Sequence, residues 1–89
     1  MPQRRVTIRS ANGLHARPAS AFAQAASATR HRVQIGRIGD EPVLASSVLM
    51  VMGLALQDGE EVVLSADDAA AEPALTELAA LLSTLEDAK

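Results

Sequence analysis

The stretch Asn12-Gly13-Leu14-His15-Ala16-Arg17-Pro18-Ala19-Ser20 marks where a loop ends and a helix begins. Asn-Gly is a chain-reversal signal, because glycine accepts positive φ without steric cost and asparagine tolerates it better than most residues. The loop therefore ends near His15. From Ala16 onward, Ala19, Phe22, Ala23 and Ala26 recur at three- and four-residue steps, a spacing that buries one helical face and turns Gln24 and Ser27 outward. Pro18 suits the first turn, where a missing N–H leaves no helical bond unmade, although it biases Arg17 away from ideal helical geometry. The spacing predicts a helix over residues 16–29 with a slightly irregular start.

A helix start is also a place for an anion, since its unpaired amides carry roughly half a positive charge. The backbone N–H groups of Ala16 and Arg17 lie there. The Arg17 guanidinium adds a full charge in a fork able to hold two phosphoryl oxygens, and His15 offers a nitrogen that titrates near neutral pH and can attack phosphorus. These residue types in this order point to covalent phosphorylation of His15. His31, flanked by Arg30 and Arg32 ahead of a strand, lacks such a setting and reads as surface structure. No metal site is expected, because two histidines with no cysteine, and with Asp40 the nearest acid along the chain, do not form a ligand set of usable spacing.

Outward from this segment, the chain alternates strand and helix patterns. Residues 4–10 place Val6 and Ile8 between polar neighbours, a half-buried strand, and residues 32–35 repeat the alternation. Residues 36–42 carry two glycines, an aspartate and a proline, as a hairpin connection into a short strand at Val43 and Leu44 would. Ser46 or Ser47 is placed to cap a short helix over residues 48–54. Gln57-Asp58-Gly59 makes a turn into a strand over residues 60–65. Ala69 to Ala71 approach a last helix, opened by Asp67, Asp68, Glu72 and Pro73, in which Leu75, Leu78, Leu82 and Leu85 form an apolar stripe with Glu77 and Glu86 outside it. The order βαββαβα, with single-faced strands and single-striped helices, calls for a two-layer α+β domain with antiparallel pairing.

Composition limits the functions available. At 89 residues the chain is expected to form one domain, residues 1–89, with a modest core. That core must be aliphatic, since Phe22 is the sole aromatic residue, and no aromatic platform exists for stacking nucleic-acid bases. The absence of cysteine excludes disulfides and thiol chemistry. The longest apolar run, residues 48–56 interrupted by Gly53, is about half the ~20 residues of a membrane helix. Residues 6–9 lack the apolar stretch of a signal peptide. A soluble cytoplasmic protein without direct membrane insertion is expected. The net charge of −3 conceals a division: every arginine precedes Asp40, every acid lies at or beyond it, and Lys89 is the one base of the second half. With a pI near 5.2, nucleic acid is not an expected partner. The arginines suit an acidic protein partner or a phosphoryl group, or, for Arg4, Arg9, Arg30 and Arg32, simply solvated element ends.

The string Gly13-Leu14-His15-Ala16-Arg17-Pro18-Ala19, preceded by Asn12 and following the first strand, resembles the active-site motif of the HPr family, the histidine-containing phosphocarriers of the phosphoenolpyruvate-dependent sugar phosphotransferase system. The likeness runs through the serine-rich start of the second helix, Gly59 before a strand and the final amphipathic helix. It implies an open-faced β-sandwich, a four-stranded antiparallel sheet with three helices on one face. It also implies a carrier rather than an enzyme, without a cofactor, in which His15 accepts a phosphoryl group on Nδ1 from phosphorylated enzyme I and passes it to an enzyme IIA domain. Arg17 and the amides after His15 then stabilise the moving charge.

By the same resemblance the family's regulatory serine falls on Ser47, where HPr kinase or another regulator would act. Ser47 also has a plain role as a helix cap. Leu49, Met50 and Met52 are more apolar side chains than one core stripe needs, so some are expected in the core and at least one exposed as an adaptable docking surface. Two other readings fit parts of the pattern. One is a paralogous carrier of a nitrogen-related, dihydroxyacetone or fructose branch. The other is a non-carrier regulatory docking module acting through the Ser47 helix, against which the pairing of His15 with Arg17 counts.

Overall fold

A computed structural model describes residues 2–9 and 16–83. Strand β1 (Gln3–Thr7) leads to helix α1 (Ala16–Ala28), and β2 (Val33–Arg37) turns into the short β3 (Val43–Leu44). Helix α2 (Val48–Gly53) and β4 (Glu61–Ala66) follow, and a single 3-10 turn, Ala69–Ala71, runs into α3 (Glu72–Ser83). The four strands form one sheet in the order β1-β4-β2-β3, with every pairing antiparallel. The three helices cover one face. This is the two-layer α+β domain that the alternation of strands and helices calls for, in the open-faced sandwich form that the family resemblance implies.

Alternation along the strands explains why only one face is covered. Val6 of β1 and Ile8 just beyond its end, Val33 and Ile35 from β2, and Val62, Leu64 and Ala66 from β4 are buried together. Because successive strand residues point to opposite faces, Gln3, Arg5 and Thr7 lie on the other side, in register with Ser65, Val63 and Glu61 of β4. The helices supply the lid. Helix α1 turns Ala19, Phe22, Ala23 and Ala26 inward and leaves Gln24 and Ser27 exposed, while α3 buries Leu75, Leu78, Ala79 and Leu82. Phe22, fully buried, is the largest side chain in a core that is otherwise aliphatic.

Element ends move by one to three residues from the sequence reading, the largest shift being the first strand, which ends at Thr7 rather than residue 10. Helix α1 stops at Ala28, where the Thr29 hydroxyl donates to the Ala26 carbonyl at 2.7 Å and Arg30 takes a left-handed φ of 63°. Strand β2 extends through Gly36 and Arg37, because β4 pairs with them as well. Gly36 is held to glycine by crowding: a Cβ there would sit 2.9 Å from Pro42 Cα, where the hairpin loop folds back. At the start of α3, Asp68 caps the 3-10 turn by accepting from the Ala70 N–H at 2.9 Å, so the approach at Ala69–Ala71 is itself helical. Leu85 and Glu86 of the expected stripe lie outside the described residues. Truncating Phe22→Ala should destabilise the protein by about 3–5 kcal/mol, measured by urea denaturation, whereas Gln24→Ala on the opposite face should fall within about 0.5 kcal/mol of the parent.

Candidate functional site

Arg17 is exposed in the first turn of α1, where free backbone amides face outward. Ala16 opens the same turn. His15, with Asn12, Gly13 and Leu14, lies outside the described residues. The chain that leads towards it is tightly held. Ile8 donates its N–H to the Glu60 carbonyl at 2.9 Å and accepts from Gly59 N–H at 2.8 Å, and Arg9 N–H donates to the Leu82 carbonyl at the end of α3 at 3.0 Å. The turn entering β4 and the end of helix α3 thus anchor Ile8 and Arg9, the described residues nearest His15 on that side, and α1 begins at Ala16.

Helix α2 packs beside α1. Its start resolves the choice between two serines: Ser47 takes extended geometry and its hydroxyl accepts from the Met50 N–H at 3.3 Å, while Ser46 is exposed and caps nothing. Ala45, fully buried and donating to the Val33 carbonyl, sets that register. The core takes Val51, with Val48 and Leu54 partly buried against it. Leu49, Met50 and Met52 are instead 80%, 49% and 39% exposed. The expectation that some of these three are core is corrected: α2 is only six residues long, so a single buried position satisfies its inward face and the remaining large apolar side chains face solvent. Exposed apolar clusters of this kind mark protein contacts.

The α2–β4 connection carries an ion pair that sequence reading did not single out. Arg37, at the end of β2, donates from Nε to Glu60 Oε1 at 2.8 Å and from Nη2 to Oε2 at 3.0 Å. Glu60 Oε2 also accepts from the Gln57 N–H at 2.7 Å. The forked hydrogen bonds from Arg37, and then the Gln57 amide, hold the Glu60 carboxyl below its ordinary range, and the same carboxylate raises the Arg37 guanidinium further. No local signal marks this pair, since its members lie in separate parts of the chain and meet only through the sheet.

His31 is not a lone surface group. Its Nδ1 lies 3.7 Å from Asp68 Oδ2, and its backbone N–H donates to the Thr29 hydroxyl, so it closes the α1–β2 turn against the cap of the 3-10 helix. Asp68, not Asp40, is its acidic neighbour. Among the described residues no three of His, Cys, Asp or Glu gather as metal ligands, and no helix is long and apolar enough to cross a membrane. A concavity of about 460 Å³ opens on the uncovered sheet face between Arg5, Val63, Gly36 and Ile38. It shares no residue with the start of α1 or with α2.

Comparison with known proteins agrees with this arrangement. Residues 2–84 match the family model described as the HPr component phosphorylation site of the phosphotransferase system. The phosphocarrier protein HPr of Streptomyces coelicolor is 51% identical over 83 residues, spanning 93% of this chain and 89% of that protein. Phosphocarrier protein HPr of Haloferax volcanii is 45% identical over 85 residues, 94% of this chain and 96% of that one. The crystal structure of HPr from Bacillus anthracis superposes with a TM-score of 0.84 at 35% identity, covering 92% of this chain and 96% of the other.

Two measurements follow from the geometry. Ser47→Ala should cost about 1 kcal/mol in urea denaturation and Ser46→Ala close to nothing, because only Ser47 satisfies a helix amide. A carboxyl held low binds fewer protons in the folded than in the unfolded state, so its stabilisation is present above the ordinary carboxylate range and is lost as pH falls through the folded value. The melting-temperature gap between the parent and Glu60→Gln should therefore be open at pH 7 and close as pH falls below about 4, modestly, since both partners are about a third exposed.

Proposed function

The chain belongs to the HPr family of phosphotransferase-system phosphocarriers, and from that premise we propose that it carries a phosphoryl group on His15 between enzyme I and an enzyme IIA domain. The family likeness over residues 2–84 is the observation that carries this reading, because it takes in the whole His15 motif. Arg17, exposed in the first turn of α1, and the preceding placement of the chain by Ile8 and Arg9 support it.

In this reading the lone pair of His15 Nδ1 attacks phosphorus on a donor phosphohistidine. The new P–N bond forms as the donor P–N bond breaks, its electron pair returning to the donor nitrogen, and one proton passes in net from acceptor to donor imidazole. The amides of Ala16 and Arg17 and the Arg17 guanidinium stabilise the phosphoryl oxygens during transfer. A carrier must also release its load, so an exposed site with few donors serves better than an enclosed one: interactions that hold the phosphoryl group equally in ground and transition states slow the next step. Leu49, Met50 and Met52 form the apolar docking surface beside that site, and Ser47 is the candidate position for control by a kinase. A phosphoryl group there would add about −1.5 to −2 charge at the start of α2 and weaken docking of acidic partners. Residues 1–89 act as one domain, in the cytoplasm where phosphoenolpyruvate is supplied.

Incubation with phosphoenolpyruvate and purified enzyme I, followed by intact-mass measurement at alkaline pH, should show one added phosphoryl group on the parent and none on His15→Ala. No label on the parent, with a competent carrier labelled in parallel, would move the reading to a specialised paralogue or a docking module.

A further inference from the structure

We propose that Arg37 and Glu60 are positioning residues for partner docking: their ion pair holds the α2–β4 loop so that the exposed face of α2 and the chain entering the His15 loop are presented together. The proposal rests on α2 being the docking surface and assigns a role to residues outside it.

Both ends of the loop are tied to functional elements. On the α2 side, the Leu54 N–H donates to Val51 and the Ala55 N–H to Met52, so the loop begins on the last turn of the helix that carries Leu49, Met50 and Met52. On the β4 side, Gly59 and Glu60 exchange two backbone hydrogen bonds with Ile8, seven residues before His15. Between these ends the chain takes two left-handed residues, Ala55 at φ 52° and Gly59 at φ 87°. Gly59 does so freely, but Ala55 carries a Cβ that disfavours the conformation, and it needs holding. Its carbonyl accepts from Arg37 Nη2 at 3.4 Å and from Gln57 Nε2 at 3.1 Å. The same guanidinium grips Glu60, whose carboxylate grips the Gln57 amide. One cation thus ties Ala55 and Glu60 directly, and Gln57 through the Glu60 carboxylate.

Neither partner is needed to build the core. Arg37 and Glu60 are both about a third exposed and stand outside the buried cluster of Val62, Leu64, Ile35 and Leu56. Loss of the pair should therefore release the loop while leaving the sheet and its helical cover in place. Bidentate geometry is also a sharper constraint than charge alone, because a planar fork fixes direction as well as distance.

The test is steady-state phosphotransfer from phosphorylated enzyme I to the full-length chain, comparing the parent with Glu60→Gln, Arg37→Lys and Leu49→Ala, with a thermal melt of each. Glu60→Gln is expected to raise the KM for the carrier roughly fivefold, a typical size for coupling between sites, with kcat unchanged and melting still cooperative. Arg37→Lys, which keeps the charge but loses the fork, should fall between parent and Glu60→Gln. Amide exchange at Leu54, Ala55 and Gln57 should quicken in Glu60→Gln, while exchange at Val62 and Leu64 should not. An unchanged KM in Glu60→Gln together with a raised KM in Leu49→Ala would overturn the positioning role and leave the docking surface standing. An unchanged KM in both would overturn the docking surface and the positioning role together. A fall in kcat without a change in KM would place the pair in the phosphoryl step and also overturn the proposal.

Discussion

A sheet that is apolar on one face only needs a cover of matching width, and most of this structure follows from meeting that need with an aliphatic sequence. Burial of apolar surface contributes roughly 25 cal/mol per Å², so a core without tryptophan or tyrosine and with one phenylalanine must gather many small contributions. It does so by spreading Val, Leu, Ile and Ala across three strands and three helices. Phe22 fills the largest share of that space, and the inward faces of α1 and α3 close over the sheet. Helix α2 is too short to bury more than Val51 completely. Its remaining apolar side chains are left in water, and the surface that suits protein docking arises from the limited demand of the core.

The second consequence is how firmly the ends of the His15 loop are held. In the proposed reading, a group that passes a phosphoryl load between two proteins has to be exposed, yet it also needs a reproducible position. The chain entering the loop is fixed by backbone hydrogen bonds from Ile8 to Gly59 and Glu60, and from Arg9 to Leu82. These partners belong to the turn entering β4 and to α3, both in the second half of the chain. The chain leaving it runs straight into α1, whose buried face is anchored by Ala19 and Phe22. Local stiffness is thus imported from the core, while Arg17 stays exposed at the start of α1.

Charge is segregated along the chain and mixed in space. All arginines come before Asp40 and all acids at or after it, a division that invites a search for separate basic and acidic faces. The sheet order β1-β4-β2-β3 inserts the acidic half's β4 between the two strands of the basic half. Glu61 then lies opposite Thr7 beside Arg5, Arg37 grips Glu60, and Asp68 sits near His31. Arg37 therefore has a role inside the fold, and Arg5 lies on its uncovered face. Arg17, at the mouth of α1, is set apart by position.

Local order was legible in the sequence wherever it depends on neighbours a few residues apart. The stripe from Ala19 to Ala26, the alternation around Val6 and Ile8, and the leucines from Leu75 to Leu82 each state their own conformation through sterics and periodicity. The chemistry proposed for the His15-Ala16-Arg17 grouping rests on residue type and needs no fold to state it. What the tertiary structure alone decided are the matters that depend on which strands lie side by side: that Gly36 and Arg37 belong to β2, that Ser47 and not Ser46 caps α2, that Val51 and not Leu49 or Met50 faces inward, and that Arg37 reaches Glu60. Periodicity is silent on these, because an ion pair between distant residues and the register of a six-residue helix are set by the geometry of the surfaces they meet, and those surfaces exist only once the sheet has formed.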